Sequence, residues 1–266
     1  MKLSKERIIK YLKNPRGIRP DCVGEVDSTN TIVKRKGLSG EPEGYLLVAE
    51  SQTAGRGRLG RTFVSPANGI YMSLLLRPSC SPAEALRITP VAAVAVAEAI
   101  TALSGRRAEI KWVNDIYMDG RKVCGILTES VLRTESEGIS FAVLGIGINV
   151  SEPEGGFPKE IKDIAGAIYE YKKAPENFRE QLIAEVWNRF MECYRDLGNP
   201  EIVGRYREYS FLPGRQVLVI ENTAAAGDAR PATVLGIGDD YGLLVRYEDG
   251  AEETLSTGEV SLKLQN

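Results

Sequence analysis

The sequence contains no histidine. That absence removes Ser-His-Asp and Cys-His catalysis and every histidine-ligated zinc site, so any chemistry has to run on lysine, arginine, carboxylates and backbone amides. Cysteine is scarce: Cys22, Cys80, Cys124 and Cys193 are scattered without a C-x-x-C pair, which fits a reducing compartment and offers no metal knuckle. The opening "MKLSKERIIKYLKNPRG" lacks an apolar stretch of signal-peptide length, and the longest apolar run, "ITPVAAVAVAEAI", is short for a membrane span and carries Glu98. These absences predict a cytoplasmic protein with no membrane partner.

Repeats, low-complexity tracts and blocks of like charge are also missing. The net charge of −2 is unevenly spread, with 30 Lys/Arg against 27 Asp/Glu in residues 1–210 but 4 against 9 in residues 211–266. A tail this acidic is repelled by phosphate backbones, which argues against a nucleic-acid partner.

What is present is an ordinary globular composition, 43% hydrophobic and 26% charged over 266 residues, enough for one large domain and a small second one. Residues 5–13 and 28–36 read as short helices, the second opened by "DST", whose side chains can cap free amides. "CVGEV", "YLLVAE" and "GIYMSLLL" read as strands, and an Ala-rich run from about Pro82 to Leu103 as a long buried helix. "AEIKWV", "DIYM", "RKVCGILTES" and "ISFAVLGIGINV" are strand-like and closely connected, hence antiparallel. Helical segments are expected from about Ile161 to Tyr209, after which short strands with Asp/Gly turns suggest a small β-barrel. The expected division is a larger α/β unit, residues 1–210, and a smaller β unit, residues 211–266.

Two stretches carry chemistry. "AGRGRLGR" (54–61) has the spacing Gly55-x-Gly57-x-x-Gly60 of a dinucleotide-binding loop, but the "RTFVSPANGIYMSLLL" that follows supplies no helix to receive a pyrophosphate. The loop also lacks the Gly-Lys-Ser/Thr of a Walker motif. Instead, three glycines keep the backbone flexible while Arg56 and Arg58, two apart in an extended segment, point the same way toward a phosphate or carboxylate. In isolation the stretch reads equally well as a solvated loop.

The second is "KWVNDIYMDGRKVCGILTES" (111–130), whose Asp119-Gly120 is a hairpin turn signal. A two-residue turn there pairs Tyr117 with Lys122 and Asp115 with Cys124. All four then share one face, with Asp115 diagonal to Lys122 at about 7–8 Å. Alone, that pair reads as a surface ion pair of little weight. Gly125 thins the same strand, and Gly145 and Gly147 in "VLGIGINV" fall on one strand face, where they either admit a ligand or mark a bulge.

Taken together, "EVDSTN" (25–30), "AESQTAGRGRLGR" (49–61), "KWVNDIYMDGRKVCGIL" (111–127) and "LGIGINV" (144–150) resemble, in order, the biotin protein ligases. The resemblance implies an α/β (α+β) fold: a class II tRNA synthetase-like catalytic domain with a mixed, mostly antiparallel sheet, plus the C-terminal β-barrel. It implies a ligase that joins biotin to AMP using ATP and Mg²⁺. The biotinyl-5′-AMP then gives its biotin to one lysine of a biotin carboxyl carrier domain of a biotin-dependent carboxylase.

Carried across by residue, Ser28, Thr29, Asn30 and Gln52 line the biotin pocket, and Gly55, Arg56, Gly57 and Arg58 close over biotin and phosphate with Arg61 nearby. Lys122 touches the reacting oxygens and Gly125 lets the ligand approach. Asn114 and Asn149 lie near the nucleotide, and no protein side chain is assigned to metal. Asp115 is a base, an orienting group or a metal-linked one, and Phe157 either stacks on adenine or packs. Nearby alternatives are a lipoate or octanoate ligase of similar fold and a non-catalytic biotin sensor.

The sequence departs from the family pattern at Val113, where proline is usual, and at Phe63, where tryptophan is common. Only about 20 residues precede the first strand, too few for the winged-helix DNA-binding domain of many relatives, so the expectation is a ligase without repressor activity. Relatives often dimerise, which leaves a homodimer open.

Overall fold

Ser4 and Ser28 each start a helix, the second as expected of the "DST" stretch. Ser4 accepts the amide of Arg7 at the head of α1 (Lys5–Lys10), and Ser28 accepts that of Thr31 at the head of α2 (Thr29–Leu38). Both satisfy an amide that the first turn leaves free. The computed structural model describes residues 2–133, 138–221, 229–256 and 260–264.

Seven strands form the large sheet: β1 (Arg19–Val26), β2 (Tyr45–Gln52), β3 (Ile70–Leu76), β4 (Glu109–Lys111), β5 (Asp115–Met118), β6 (Arg121–Leu132) and β7 (Ile139–Ile148), in the order β1-β2-β3-β7-β6-β5-β4. Only β1 and β2 run parallel, so the sheet is mixed and mostly antiparallel.

Both faces of its centre are covered. Leu47, Leu75, Phe141 and Val143 pack with Val33 of α2 on one face, while Leu46, Leu74, Leu144 and Ile146 join the main core on the other. This explains why all seven residues of β3 are buried and why the strand reads as a continuous apolar run instead of an alternating one.

The main core is completed by α3 (Pro82–Ala85), α4 (Ile88–Ser104), α5 (Phe178–Tyr194) and α6 (Pro200–Tyr209). The expected single helix from Pro82 is therefore two, because the capping box of Ser81 and Glu84 starts a one-turn helix that closes before Ile88. Pro82–Ser104 as a whole is long and apolar enough to span a membrane by length and composition. The structure uses it otherwise: α4 lies in the core, and its Glu98 takes ion pairs from Arg189 of α5 and Arg205 of α6 at 3.0 and 2.6 Å.

Helix is absent from residues 161–177, where it was expected. The chain instead hydrogen-bonds to β6, through Lys122 N to Ile164 O and Gly166 N to Lys122 O, and Lys172 and Asn177 adopt positive φ. Beyond α6, β8 (Gln216–Glu221), β9 (Ala229–Ile237), β10 (Leu243–Tyr247), β11 (Glu252–Leu255) and β12 (Val260–Leu264) make an antiparallel sheet ordered β11-β10-β9-β8-β12.

Candidate active site

The start of α2, the loop after β2 and the β5–β6–β7 face enclose a cavity of about 190 Å³. Its floor is polar and buried. Thr29 N donates to Gln52 Oε1 at 2.9 Å, Gln52 Nε2 to Ser65 Oγ at 3.0 Å, and Ser73 Oγ to Asn30 Oδ1 at 2.6 Å. Ser28, Thr29, Asn30 and Gln52, the residues the resemblance assigns to a biotin pocket, all line this cavity. Gly145 also lines it, for an unexpected reason: a Cβ there would collide with the Asn30 amide, so this glycine makes room for a protein side chain.

The glycine-arginine stretch folds back as a hairpin-like loop over the cavity instead of running extended. Phe63 N donates to Gly55 O and Gly57 N to Arg61 O, and Arg58–Gly60 makes a 3-10 turn with Leu59 at φ 56°. Arg56 and Arg58 consequently diverge, a correction to the expected parallel pair. Arg56 Nη1 donates to Glu129 at 3.2 Å, whereas Arg58 Nη1 donates to Asn114 Oδ1 at 3.2 Å.

Arg56, Gly57, Arg58 and Arg61 line the cavity, while Gly55 does not. A Cβ at Gly55 would meet Phe63 O and Ser65 Oγ, so close packing fixes this glycine, contrary to the expected need for flexibility. The Phe63 ring occupies the space over Gly125 and Gly147, which face each other across β6 and β7.

The β5–β6 hairpin turns at Asp119-Gly120 with φ 49° and 75°, as that dipeptide predicts. Its register then shifts: Tyr117 pairs with Lys122, but Ile116 pairs with Cys124 and Asp115 with Gly125. Val123 is the extra residue of a bulge. Cys124 therefore does not share the face of Asp115; it is fully buried in the core, where burial pushes its thiol pKa well up.

Asp115 and Lys122 meet nonetheless, Oδ1 to Nζ at 2.6 Å. This is a charge contact without hydrogen-bond alignment, because Asp115 Oδ1 is otherwise unpartnered. Asn114 donates to Ile126 O at 2.8 Å and so anchors Arg58 to β6.

Asn149 is outside the cavity lining. Its Nδ2 donates to Gly166 O at 2.9 Å and its backbone N to Val123 O, which fastens the 164–168 segment beside Lys122. Phe157 is half-buried in the loop before that segment.

Sequence reasoning passed over Lys111, Trp112 and Glu129. Lys111 and Trp112 line the cavity from β4 and just beyond it; the "KWVND" string named them without a register to place them. Burial lowers the Lys111 pKa from 10.5, opposed by Asp115 and reinforced by Lys122 and Arg61. Burial likewise lowers that of Arg58. The Trp112–Val113 peptide is cis. In all, Arg56, Arg58, Arg61, Lys111 and Lys122 line the cavity against one carboxylate, Asp115. Among the described residues no group of three His, Cys, Asp or Glu side chains could hold a metal.

Comparison with known proteins places the chain among relatives of one kind. Residues 23–149, which hold most of the cavity, fit the model of the biotin/lipoate A/B protein ligase family. The bifunctional ligase/repressor BirA of Bacillus spizizenii is 32% identical over 256 residues, spanning 90% of this chain and 75% of that protein. The biotin–[acetyl-CoA-carboxylase] ligase of Mycobacterium tuberculosis is 31% identical over 90% of this chain and 87% of its own. Among solved structures, the biotin protein ligase from Aquifex aeolicus in complex with biotin and ATP superimposes with a TM-score of 0.74 at 28% identity, over 93% of this chain and 99% of that one. The chain belongs to the biotin/lipoate A/B protein ligase family and, within it, to the biotin protein ligases.

Proposed function

We infer that this chain is an ATP-dependent biotin–protein ligase, and that the five cations set against one carboxylate in the cavity are its working part. Activation requires the biotin carboxylate to attack the α-phosphorus of ATP, forming an acyl–phosphate bond as the bond to pyrophosphate breaks. Two anions must approach, so the barrier is largely electrostatic. Lys122 and Arg58 oppose that repulsion, and Lys111 and Arg61 receive the charge of the departing pyrophosphate. The carboxylate is already a nucleophile, which is why a chain with no histidine can run the reaction.

Ser28, Thr29, Asn30 and Gln52 hold the biotin head group. Arg56, Gly57 and Phe63 form a lid that excludes water from the mixed anhydride. Asn149 acts on the nucleotide through the segment it fastens. In the transfer step the amine of the acceptor lysine attacks the acyl carbon and AMP leaves. Asp115, with one oxygen against Lys122 Nζ, is the group that orients or deprotonates that amine.

Among the described residues no protein-held Mg²⁺ site is made, since the one carboxylate of theirs that lines the cavity already sits against a lysine. Magnesium belongs here with the phosphates of ATP. The acceptor is a lysine of a biotin carboxyl carrier domain, and the protein works in the cytoplasm.

The test is incubation with ATP, Mg²⁺, biotin and a carrier domain, with parallel reactions containing lipoate or octanoate. A mass increase of one biotinyl group on a carrier lysine is expected from biotin alone. An unlabelled carrier, or labelling by lipoate in preference to biotin, overturns the assignment.

A further inference from the structure

The floor of the cavity contains a row of oxygen atoms with more contacts than protons. Asn30 Oδ1 lies 2.6 Å from Ser73 Oγ, Ser73 Oγ lies 2.7 Å from Thr29 Oγ1, and Thr29 Oγ1 lies 3.1 Å from Gln52 Oε1. The two end atoms are amide carbonyl oxygens with no hydrogen, and the two hydroxyls between them carry one each. Three contacts share two protons, so one of them is empty.

Turning an amide does not cure the deficit. Gln52 Oε1 accepts the Thr29 backbone amide at 2.9 Å, and reversing the group would set N–H against N–H. Asn30 is fixed from its other side, because its Nδ2 donates to Glu129 Oε2 at 3.0 Å and to Leu127 O at 3.4 Å. Reversed, Asn30 Oδ1 would face a carboxylate oxygen across that same short gap.

The distances and donors locate the empty contact. Thr29–Gln52 is the longest of the three, and Gln52 Oε1 already holds the Thr29 amide. The remaining protons then run one way, from Thr29 to Ser73, Ser73 to Asn30 and Asn30 to Glu129. Glu129 is at the end of this relay and outside the cavity lining. Its carboxylate also meets Arg56 at 3.2 Å and Lys34 at 3.8 Å, and its side chain is 16% exposed. Gly145 is what allows Asn30 to reach between Ser73 and Glu129.

We propose that Glu129 is the positioning residue that sets this polarity, leaving Thr29 Oγ1 and Gln52 Oε1 as adjacent acceptors for a ring N–H of the ligand. The inference rests on the biotin reading of the cavity and deepens it. A cyclic-urea head group supplies the missing proton between the two oxygens. A head group without N–H leaves them facing each other desolvated, and a buried acceptor left unpaired is what a polar site uses to reject an analogue.

The experiment compares kcat/KM for adenylate formation, followed as pyrophosphate release, with biotin and with its cyclic carbonate isostere, in which both ring N–H groups are oxygen. Wild type, Glu129→Gln, Ser73→Ala and the double variant are measured. Glu129→Gln can turn its amide to donate, which frees Asn30 to reverse; Ser73→Ala cuts the relay while leaving Glu129 and Arg56 in place. Each single variant is expected to reduce the preference for biotin over the carbonate about tenfold, mainly through the KM for biotin.

Because both variants break one chain, the double variant should lose no more preference than either single. Parallel losses for both acids, or additive effects in the double variant, would mean a merely structural role and overturn the proposal, as would an unchanged preference. If Glu129→Gln does not fold, Ser73→Ala decides alone. Failure of the wild type to activate biotin at all would instead refute the ligase assignment on which the inference stands.

Discussion

Lys111 shows how one residue's surroundings prepare it for an anion. Its amine is mostly buried, and burial, the largest cause, together with Lys122 and Arg61 holds its pKa below 10.5 against the pull of Asp115. A lysine with a depressed folded pKa disfavours the folded state while it is charged. That cost is fully present below its folded pKa and disappears as pH rises from there to its unfolded value. A bound polyphosphate reverses the balance by favouring the charged form and drawing a proton onto Lys111. ATP binding should therefore take up protons in the alkaline range below the ordinary lysine pKa of 10.5. Calorimetric titrations in two buffers of different ionisation enthalpy would measure this uptake. Lys111→Met should abolish the uptake and weaken ATP more than biotin; an uptake that survives the substitution would assign it to another group.

At the scale of elements, the site depends on two glycines facing each other across β6 and β7 with the Phe63 ring of the loop laid over both. In Gly147→Ala the new methyl would lie well inside contact distance of that ring, an overlap that costs about 1–3 kcal/mol if the ring stays. The ring is on a loop and can move, so the strain should lift the lid and leave the sheet intact. The half-life of enzyme-bound biotinyl-5′-AMP, read from its release after gel filtration, should fall about tenfold. The thermal midpoint should change little. An unchanged half-life would remove Phe63 from the lid.

Legibility at this scale followed how local the signal was. The Asp119-Gly120 turn and the Ser28 cap depend on a few neighbouring residues, and both stand as read. The bulge at Val123 depends on what β7 and the 164–166 segment demand of β6, and nothing in "RKVCG" announces it. That one extra residue moved Cys124 into the core and brought Gly125 opposite Asp115, yet spared the Asp115–Lys122 contact, because long side chains tolerate a shifted register. Likewise, the glycines at 55 and 145 were visible as glycines, but their purpose, room for Phe63 with Ser65 and for Asn30, appears only once distant segments are packed together.

At the scale of the whole molecule, the C-terminal sheet shares its core with the larger one. One continuous cluster of buried side chains runs from Leu46 and Ile146 through α4, Phe190 and Tyr206 to Leu212, Val217, Val234 and Tyr241. Polar contacts cross the same boundary: Arg207 Nε donates to Ile237 O at 2.8 Å, and Trp112 Nε1, in the cavity wall, donates to Tyr241 O at 2.8 Å. Two sheets joined this way should unfold together, giving one transition whose calorimetric and van't Hoff enthalpies agree. Trp112→Phe keeps the aromatic bulk but leaves the buried Tyr241 carbonyl without its donor, at a cost of about 1–3 kcal/mol. That loss should lower the single urea midpoint without splitting it. Trp187 in α5 is then the only tryptophan, and its fluorescence should report the same midpoint as far-ultraviolet circular dichroism. An earlier, separate transition in circular dichroism alone would mean that the small sheet melts by itself, and that Trp112 is a joint between two independently stable units instead of part of a shared core.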